Sequence, residues 1–355
     1  MSRALAFLCS FAGWIFFLQP VAALDTSGLK ISAAADLVSD FSWKQTSAPD
    51  RLQARSVELL LYGPTDHLFQ GMISIAAHPY DGEMNVGVHE AFIESSRLIP
   101  RTRFKVGQYF LGVGRLNPLH QHDWPFISAP IVQREFFDGE GILDSGLEVG
   151  FLMPVSFYWD LSAGITNGWR ITHSHGDEGE APSVPTHYLR SELFHEWEGG
   201  GLKYALNYLG RKDAEDKWLW LLGADFVAKW REGKTLRFLL QSELWARLQK
   251  PSTLSLSREM GAFVFGQYAL KTNWFAGFRL DALTNVDLED ALGRSVSNVE
   301  WSLSPQLSFD ASEFAKIRGM YSLESRYQAS SATQWGHRVL FQITFLLGAH
   351  PAHEF

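Results

Sequence analysis

The sequence predicts an all-β fold: a transmembrane antiparallel β-barrel of about 16 strands with short periplasmic turns and long external loops. Three observations predict it. Many segments of roughly 10 residues alternate apolar and polar side chains, which is the length a tilted strand needs to cross a bilayer. Aromatic residues make up 14% of the 355 positions, with 13 Trp, 26 Phe and 30 Gly, yet the mean hydropathy is only −0.08. Alternating lipid-facing and lumen-facing positions produce that composition. Finally, the connections between segments alternate long and short, and a soluble β-sandwich has no reason to sort its loops in this way.

The chain divides into an export signal over 1–23 and a single barrel domain over 24–355. Met1 to Ala23 has Arg3 near its start, an apolar run from Ala4 to Leu18 and a small-residue cleavage pattern at Val21-Ala22-Ala23. The run is too short for a membrane-spanning helix, which takes about 20 apolar residues. Cys9 is the only cysteine and lies inside this segment, so cleavage removes it. A disulfide, a thiolate metal site and a cysteine nucleophile are thereby excluded from the processed chain. The formal charge of −8, or −9 without Arg3, argues against nucleic acid as a partner.

Sixteen segments carry the alternation: 29–43, 53–62, 68–77, 86–95, 102–111, 143–153, 155–167, 186–197, 201–211, 217–231, 234–247, 258–271, 273–283, 298–310, 314–327 and 335–348. In the fourteenth, Val299, Trp301, Leu303, Leu307 and Phe309 share one face, and Glu300, Ser302, Ser304, Gln306 and Asp310 the other. In the tenth, Trp218, Trp220, Leu222, Phe226 and Trp230 oppose Asp225, Lys229 and Arg231. The last places Val339, Phe341, Ile343, Phe345 and Leu347 toward lipid and should pair with the first to remove the sheet's edges. Pro351 cannot donate a ladder hydrogen bond, so pairing should stop near Gly348. Connections after odd-numbered segments are mostly long (44–52, 78–85, 112–142, 168–185, 248–257, 284–297), and those after even ones are short. Long loops then lie at one end and both termini at the other.

Sixteen strands leave an aqueous lumen, whereas a plugged receptor needs about 22 strands. The longest connection, Gly112 to Ile142, follows the fifth strand; this layout resembles that of general porins, in which the loop at this position folds inward and narrows the channel. The stretch from His89 to Gly150, with EAFIE, RTRFKVGQYFLGVGRLN and FFDGEGILDSGLEVG, resembles the corresponding region of phosphate-selective-type (O/P-like) porins. There a strand carrying a basic residue and a G-Q pair leads into the third external loop and a Gly-rich return strand. The resemblance covers about a sixth of the chain. It implies the fold and the pore, and an inward-folded third loop; it does not carry phosphate selectivity, because the lumen-facing charges are mixed, with twelve bases nearly balanced by ten acids. Pairing between neighbouring strands is the plainer account of most of these charges. The residues expected at the constriction are Arg101, Arg103, Lys105, Arg115, Asp123, Glu135, Asp138, Glu140 and Asp144.

His120-Gln121-His122-Asp123 in the third loop and His173-Ser174-His175 in the fourth could bind zinc, nickel or copper, since imidazole with carboxylate suits those ions. The plainer reading of His-x-His in a loop is a pair of solvated side chains. No cofactor is expected. No catalytic residues are expected either: no G-x-S-x-G or comparable nucleophile context is present, and Gly112-Val113-Gly114 lacks the following helix of a phosphate-binding loop.

The expectation is therefore a non-enzymatic porin of the Gram-negative outer membrane, passing small hydrophilic solutes or ions passively. The alternative is a receptor or metal-binding barrel using its histidine-bearing external loops. Outer-membrane lipid is the expected surroundings, and the terminal strand ending in Phe355 the signal read by the barrel-assembly machinery. Porins commonly form homotrimers, and that assembly is open to this chain. Trp43, Trp197, Trp218, Trp230, Trp274 and Trp301 are expected at the two membrane interfaces.

Overall fold

The computed structural model describes residues 28–43, 52–80, 83–137, 139–168, 184–212, 217–233, 235–250, 257–286, 298–328 and 331–348. These form sixteen strands: β1 (Lys30–Trp43), β2 (Gln53–Pro64), β3 (Gln70–Tyr80), β4 (Glu83–Ile99), β5 (Thr102–Phe110), β6 (Leu143–Leu152), β7 (Tyr158–Thr166), β8 (Thr186–Trp197), β9 (Gly200–Lys212), β10 (Trp218–Glu232), β11 (Thr235–Lys250), β12 (Ser257–Lys271), β13 (Trp274–Asn285), β14 (Glu300–Ser312), β15 (Ala315–Gln328) and β16 (Ser331–Gly348). Each pairs antiparallel with its neighbours in sequence, and β1 pairs with β16 in register from Ser32↔Gly348 to Trp43↔His337, closing the barrel. All sixteen expected segments are strands, in the expected order. The expected signal segment 1–23 and Phe355 lie outside the described residues.

Period-two alternation sets which face each side chain takes. On β16, Val339, Phe341, Phe345 and Leu347 are exposed on the outside, while Gln342 and Thr344 are buried inside. The same holds around the barrel, with Val86, Leu206 and Leu347 each more than 60% exposed. A continuous outer band of large apolar residues is the surface a lipid-facing wall presents. Aromatic contacts mark its edges. At the short-turn rim Trp197 meets Trp230, Trp230 meets Phe238, and Trp274 meets Phe309; at the other, Trp218 stacks on Trp220 and Trp301 meets Trp335. From Trp218 to Trp230 along β10 is about 40 Å at 3.3 Å per residue, or about 28 Å along the barrel axis at a tilt of 45°. That spacing matches a hydrocarbon core.

One connection differs from expectation. The stretch 78–85 is not a long loop, because β3 continues to Tyr80 and β4 begins at Glu83. Register shifts also break the alternation in several strand pairs, and two of them bear on the loop. The register of β1 with β2 shifts between Asp36 and Leu37, leaving Arg55 as the extra residue, and that of β3 with β4 shifts between Ser74 and Ile75, leaving His89 as the extra residue. A bulge adds an unpaired residue and re-aims its side chain. Arg55 accordingly reaches Asp36 and the carbonyl of Ile127, and His89 lies buried beside Glu90.

The apolar core lies inside the barrel. Residues 111–142 fold back into the lumen, carrying a 3₁₀ turn (Gln121–Asp123) and a short helix α1 (Ile131–Phe136). Leu111, Val113, Leu116, Trp124, Phe126, Val132, Phe136 and Phe137 pack against inward-facing Tyr188, Leu209, Leu221, Val227, Trp245, Phe263 and Phe265. Phe126 meets Phe263 and Phe265 edge-on at 5.7 and 5.2 Å, and Phe137 meets Trp245 at 4.7 Å. A second cluster joins Ile127 to Val38, Met320 and Leu340 on the opposite wall.

Candidate functional site

The site is the loop 111–142 and the walls it touches. Its neck is tied by Asn117: Nδ2 donates to the carbonyls of Leu111 and Ile142 at 2.7 and 3.3 Å, and Oδ1 accepts the Ile142 amide at 2.6 Å. Leu111 N also donates to Ile142 O. A single carboxamide thus satisfies backbone groups at both ends of the loop, which burial would otherwise leave costly.

The first limb is held by buried charges. Glu243 Oε1 accepts the amides of Arg115 and Leu116 at 3.0 and 2.7 Å, and Oε2 accepts the Trp245 indole at 2.7 Å. Gly114 donates to Asn207 Oδ1 and accepts from Arg190 Nη1. Arg190 is bidentate to Asp225 and also reaches Glu192, which pairs with Lys203. Further round the wall, Gln306 donates to the Pro125 carbonyl, Arg279 to the Ser128 carbonyl and Arg247 to the Glu135 carbonyl. The loop is therefore anchored by hydrogen bonds to β2, β4, β8, β9, β11, β13 and β14. Most inward charges are paired within the wall, Arg338 with Asp40 and Glu324 and Arg279 with Asp281 among them.

The residues expected at the constriction separate. Arg103 and Arg115 come together, lining a space of about 190 Å³ between the loop and the wall. Lys203 and Arg190 are the other bases there, and Glu148, Asp160 and Glu192 line it too. Arg103 lies 3.4 Å from Glu148. Arg103 and Asp160 also line a larger space, about 570 Å³, at the short-turn rim. Arg101 lines that second space: it sits in the turn between β4 and β5, with φ 64°, at the end of β5 away from the loop. Lys105 lies over the Phe92 and Tyr109 rings at 4.6 and 5.4 Å. Asp144 accepts the amides of Ser145 and Gly168 and so shapes the backbone at the start of β6. Glu135 is exposed on α1, and its carbonyl accepts from Arg247. Asp138 lies outside the described residues. Asp123 and Glu140 belong to a histidine cluster.

That cluster corrects the picture of solvated loop histidines. His120 and His122 are 6% and 1% exposed. Two strand histidines, His78 on β3 and His89 on β4, join them in a ladder of rings: His78 on His89 at 4.7 Å, His89 on His120 at 6.1 Å and His120 on His122 at 5.6 Å. Carboxylates flank it. His120 Nδ1 is 2.9 Å from Glu58 and Nε2 3.0 Å from Glu90; His122 Nδ1 is 3.3 Å from Glu58 and Nε2 3.2 Å from Asp123. His78 Nδ1 is 3.6 Å from Glu140. Burial opposes charge on both loop histidines, yet Glu58 and Glu90 hold His120 well above the usual histidine value, and Asp123 with Glu58 raises His122. His173 and His175 lie outside the described residues. His78 and His89 are not visible as site residues in the sequence. The one available signal was the acid-histidine pair His89-Glu90, which strict alternation would have placed on opposite faces.

No family model matches the chain. An uncharacterized protein of Aquifex aeolicus is 26% identical over 337 residues, covering 84% of this chain and 69% of its own length. Among solved structures, an anion-selective porin from Comamonas acidovorans superposes with a TM-score of 0.61 at 8% identity, over 90% of this chain and 99% of that one. DcaP, an outer membrane channel of Acinetobacter baumannii, gives 0.58 at 13% identity over 90% and 96%. OmpT, an outer membrane protein of Vibrio cholerae, gives 0.58 at 7% identity over 93% and 100%. These likenesses are of fold.

Proposed function

We propose that this chain is an outer-membrane porin, a non-enzymatic channel through which small hydrophilic solutes or ions diffuse passively, narrowed by the loop 111–142. The observation that carries the reading is the loop itself. It is fastened inside a closed sixteen-strand barrel by hydrogen bonds to seven strands, and a charge-lined space remains beside it, lined by Arg103, Arg115, Arg190 and Lys203 together with Glu148, Asp160 and Glu192. Charged side chains along a confined path select among ions. The barrels it resembles in fold include proteins described as an anion-selective porin and an outer membrane channel. The mixed charge of the space here gives no ground for phosphate selectivity. The same reading includes export with removal of 1–23, insertion through a terminal signal ending in Phe355, and assembly into trimers, a form in which the Vibrio cholerae OmpT structure is also described.

Planar-bilayer recording on purified, refolded protein tests the channel. Stepwise conductance that scales with salt is expected, and a barrel that inserts with no conductance would end the proposal. Deleting Phe355 should impair insertion and leave export intact.

A further inference from the structure

We propose that Glu58, His89 and His120 form a binding site for one divalent transition-metal ion, zinc or a close relative, which cross-links the lumenal loop to β2 and β4. The three come from three parts of the chain: Glu58 from β2, His89 from the bulge in β4 and His120 from the loop. All three are buried, and each offers one ligand atom within 4.8 Å of the others. Zinc holds nitrogen and oxygen at about 2.0–2.1 Å, so tetrahedral ligands lie about 3.3 Å apart, and small side-chain rotations close the difference. One pair is already closer than that, His120 Nδ1 and Glu58 Oε2 at 2.9 Å.

The surroundings are those a metal centre needs. With the ion on the Nδ1 side of His120, Nε2 is left to donate to Glu90, 3.0 Å away, giving the carboxylate–histidine–metal arrangement that fixes ring orientation and raises ligand basicity. The other oxygen of Glu58 faces His122, which in turn faces Asp123, so the carboxylate ligand is itself supported. Imidazole with carboxylate suits zinc, nickel and copper over magnesium or calcium. Three protein ligands leave a fourth position for water. A second group, His78, His89 and Glu140, shares His89, but His78 and Glu140 are only half-buried; it is the competing location. The proposal stands on these residues alone and does not depend on the channel reading.

Zinc titration by calorimetry, with metal analysis of the EDTA-treated and reloaded full-length barrel, tests it. One zinc per chain is expected for wild type. His89→Ala and His120→Ala should each lose it, Glu90→Gln should weaken it by about 10- to 100-fold as removal of a supporting carboxylate does, and His78→Ala should retain it. Retention of heat-modifiable mobility in gels verifies that each variant folds. Copper loaded into wild type needs no variant: its electron paramagnetic resonance should show coupling to two imidazole nitrogens. Absence of zinc binding by wild type, equal affinity in the His89 and His120 variants, or loss that follows His78→Ala and Glu140→Gln instead, would each overturn the assignment.

Discussion

The carboxylate of Glu243 accepts the amide of Leu116 at 2.7 Å across 127 positions of sequence. The same oxygen takes the Arg115 amide, and the other takes the Trp245 indole, so one buried side chain latches the first limb of the loop to β11. Hydrogen bonds to a charged group contribute about 1.5–3 kcal/mol each. Glu243→Ala should therefore release the limb without opening the barrel. The expected result is a larger and noisier single-channel conductance with unchanged strand content by circular dichroism. Conductance identical to wild type would show that the latch does not set the width.

Gly114 and Gly139 both have left-handed backbone, φ 71° and 75°, but different space. A Cβ at Gly114 would meet Glu243 Oε2 at 2.8 Å and Trp245 Cζ2 at 2.9 Å, whereas at Gly139 it meets nothing within 4 Å. Gly139→Ala should cost only the left-handed backbone term, about 1–2 kcal/mol. Gly114→Ala carries that term and also displaces the latch, so it should both lower the thermal midpoint further and reproduce the Glu243→Ala conductance. Equal effects of the two substitutions would mean that backbone conformation alone matters.

The barrel was legible because its physics is local. Period-two alternation and tilted-strand length act on each segment separately, and the sixteen segments emerge in order. The 78–85 connection is shorter than the long loops among which it is expected, and Asp81-Gly82 within it is a two-residue hairpin signal. Arg55 and His89 were hidden for a different reason. A bulge shifts parity by one residue; nothing in the sequence around Arg55 announces it, and at His89 only the adjacent Glu90 hints at it. Arg103 and Arg115 could be anticipated from their place beside the loop. The buried state of His120 could not, because it depends on Glu58 and Glu90 from strands 62 and 30 positions away.

Asn117→Asp replaces a donor by an acceptor at nearly constant shape. The amide nitrogen now facing the Leu111 carbonyl at 2.7 Å would become a carboxylate oxygen, and a buried charge against carbonyls costs at least the 1–3 kcal/mol of an unsatisfied polar group, roughly. Burial and these carbonyls both raise the new carboxyl's folded pKa above its unfolded value. The protonated form can donate to Leu111, so the variant should be closest to wild type in acid, and its defect should grow as pH rises through the raised pKa. Thermal midpoints of wild type and variant compared from pH 4 to 8 measure this. A gap between them that does not widen with pH would remove Asn117 as the tie of the loop's neck.

Ion selectivity should follow position along the path. Arg115 and Arg103 line the narrow space beside the loop, while Arg101 lies at the short-turn rim and Glu135 is exposed on α1. At 0.1 M salt the screening length is about 10 Å, so a charge reversal in the narrow space acts on every passing ion, whereas one facing open solvent is largely screened. Arg115→Glu and Arg103→Glu should shift the zero-current potential in a potassium chloride gradient toward cation selectivity. Arg101→Glu should shift it less, and Glu135→Lys least. All four effects should fade at 1 M salt, where the screening length is about 3 Å. If Arg101→Glu shifted the potential as far as Arg115→Glu, the narrowest part of the path would lie at the short-turn rim and not beside the loop.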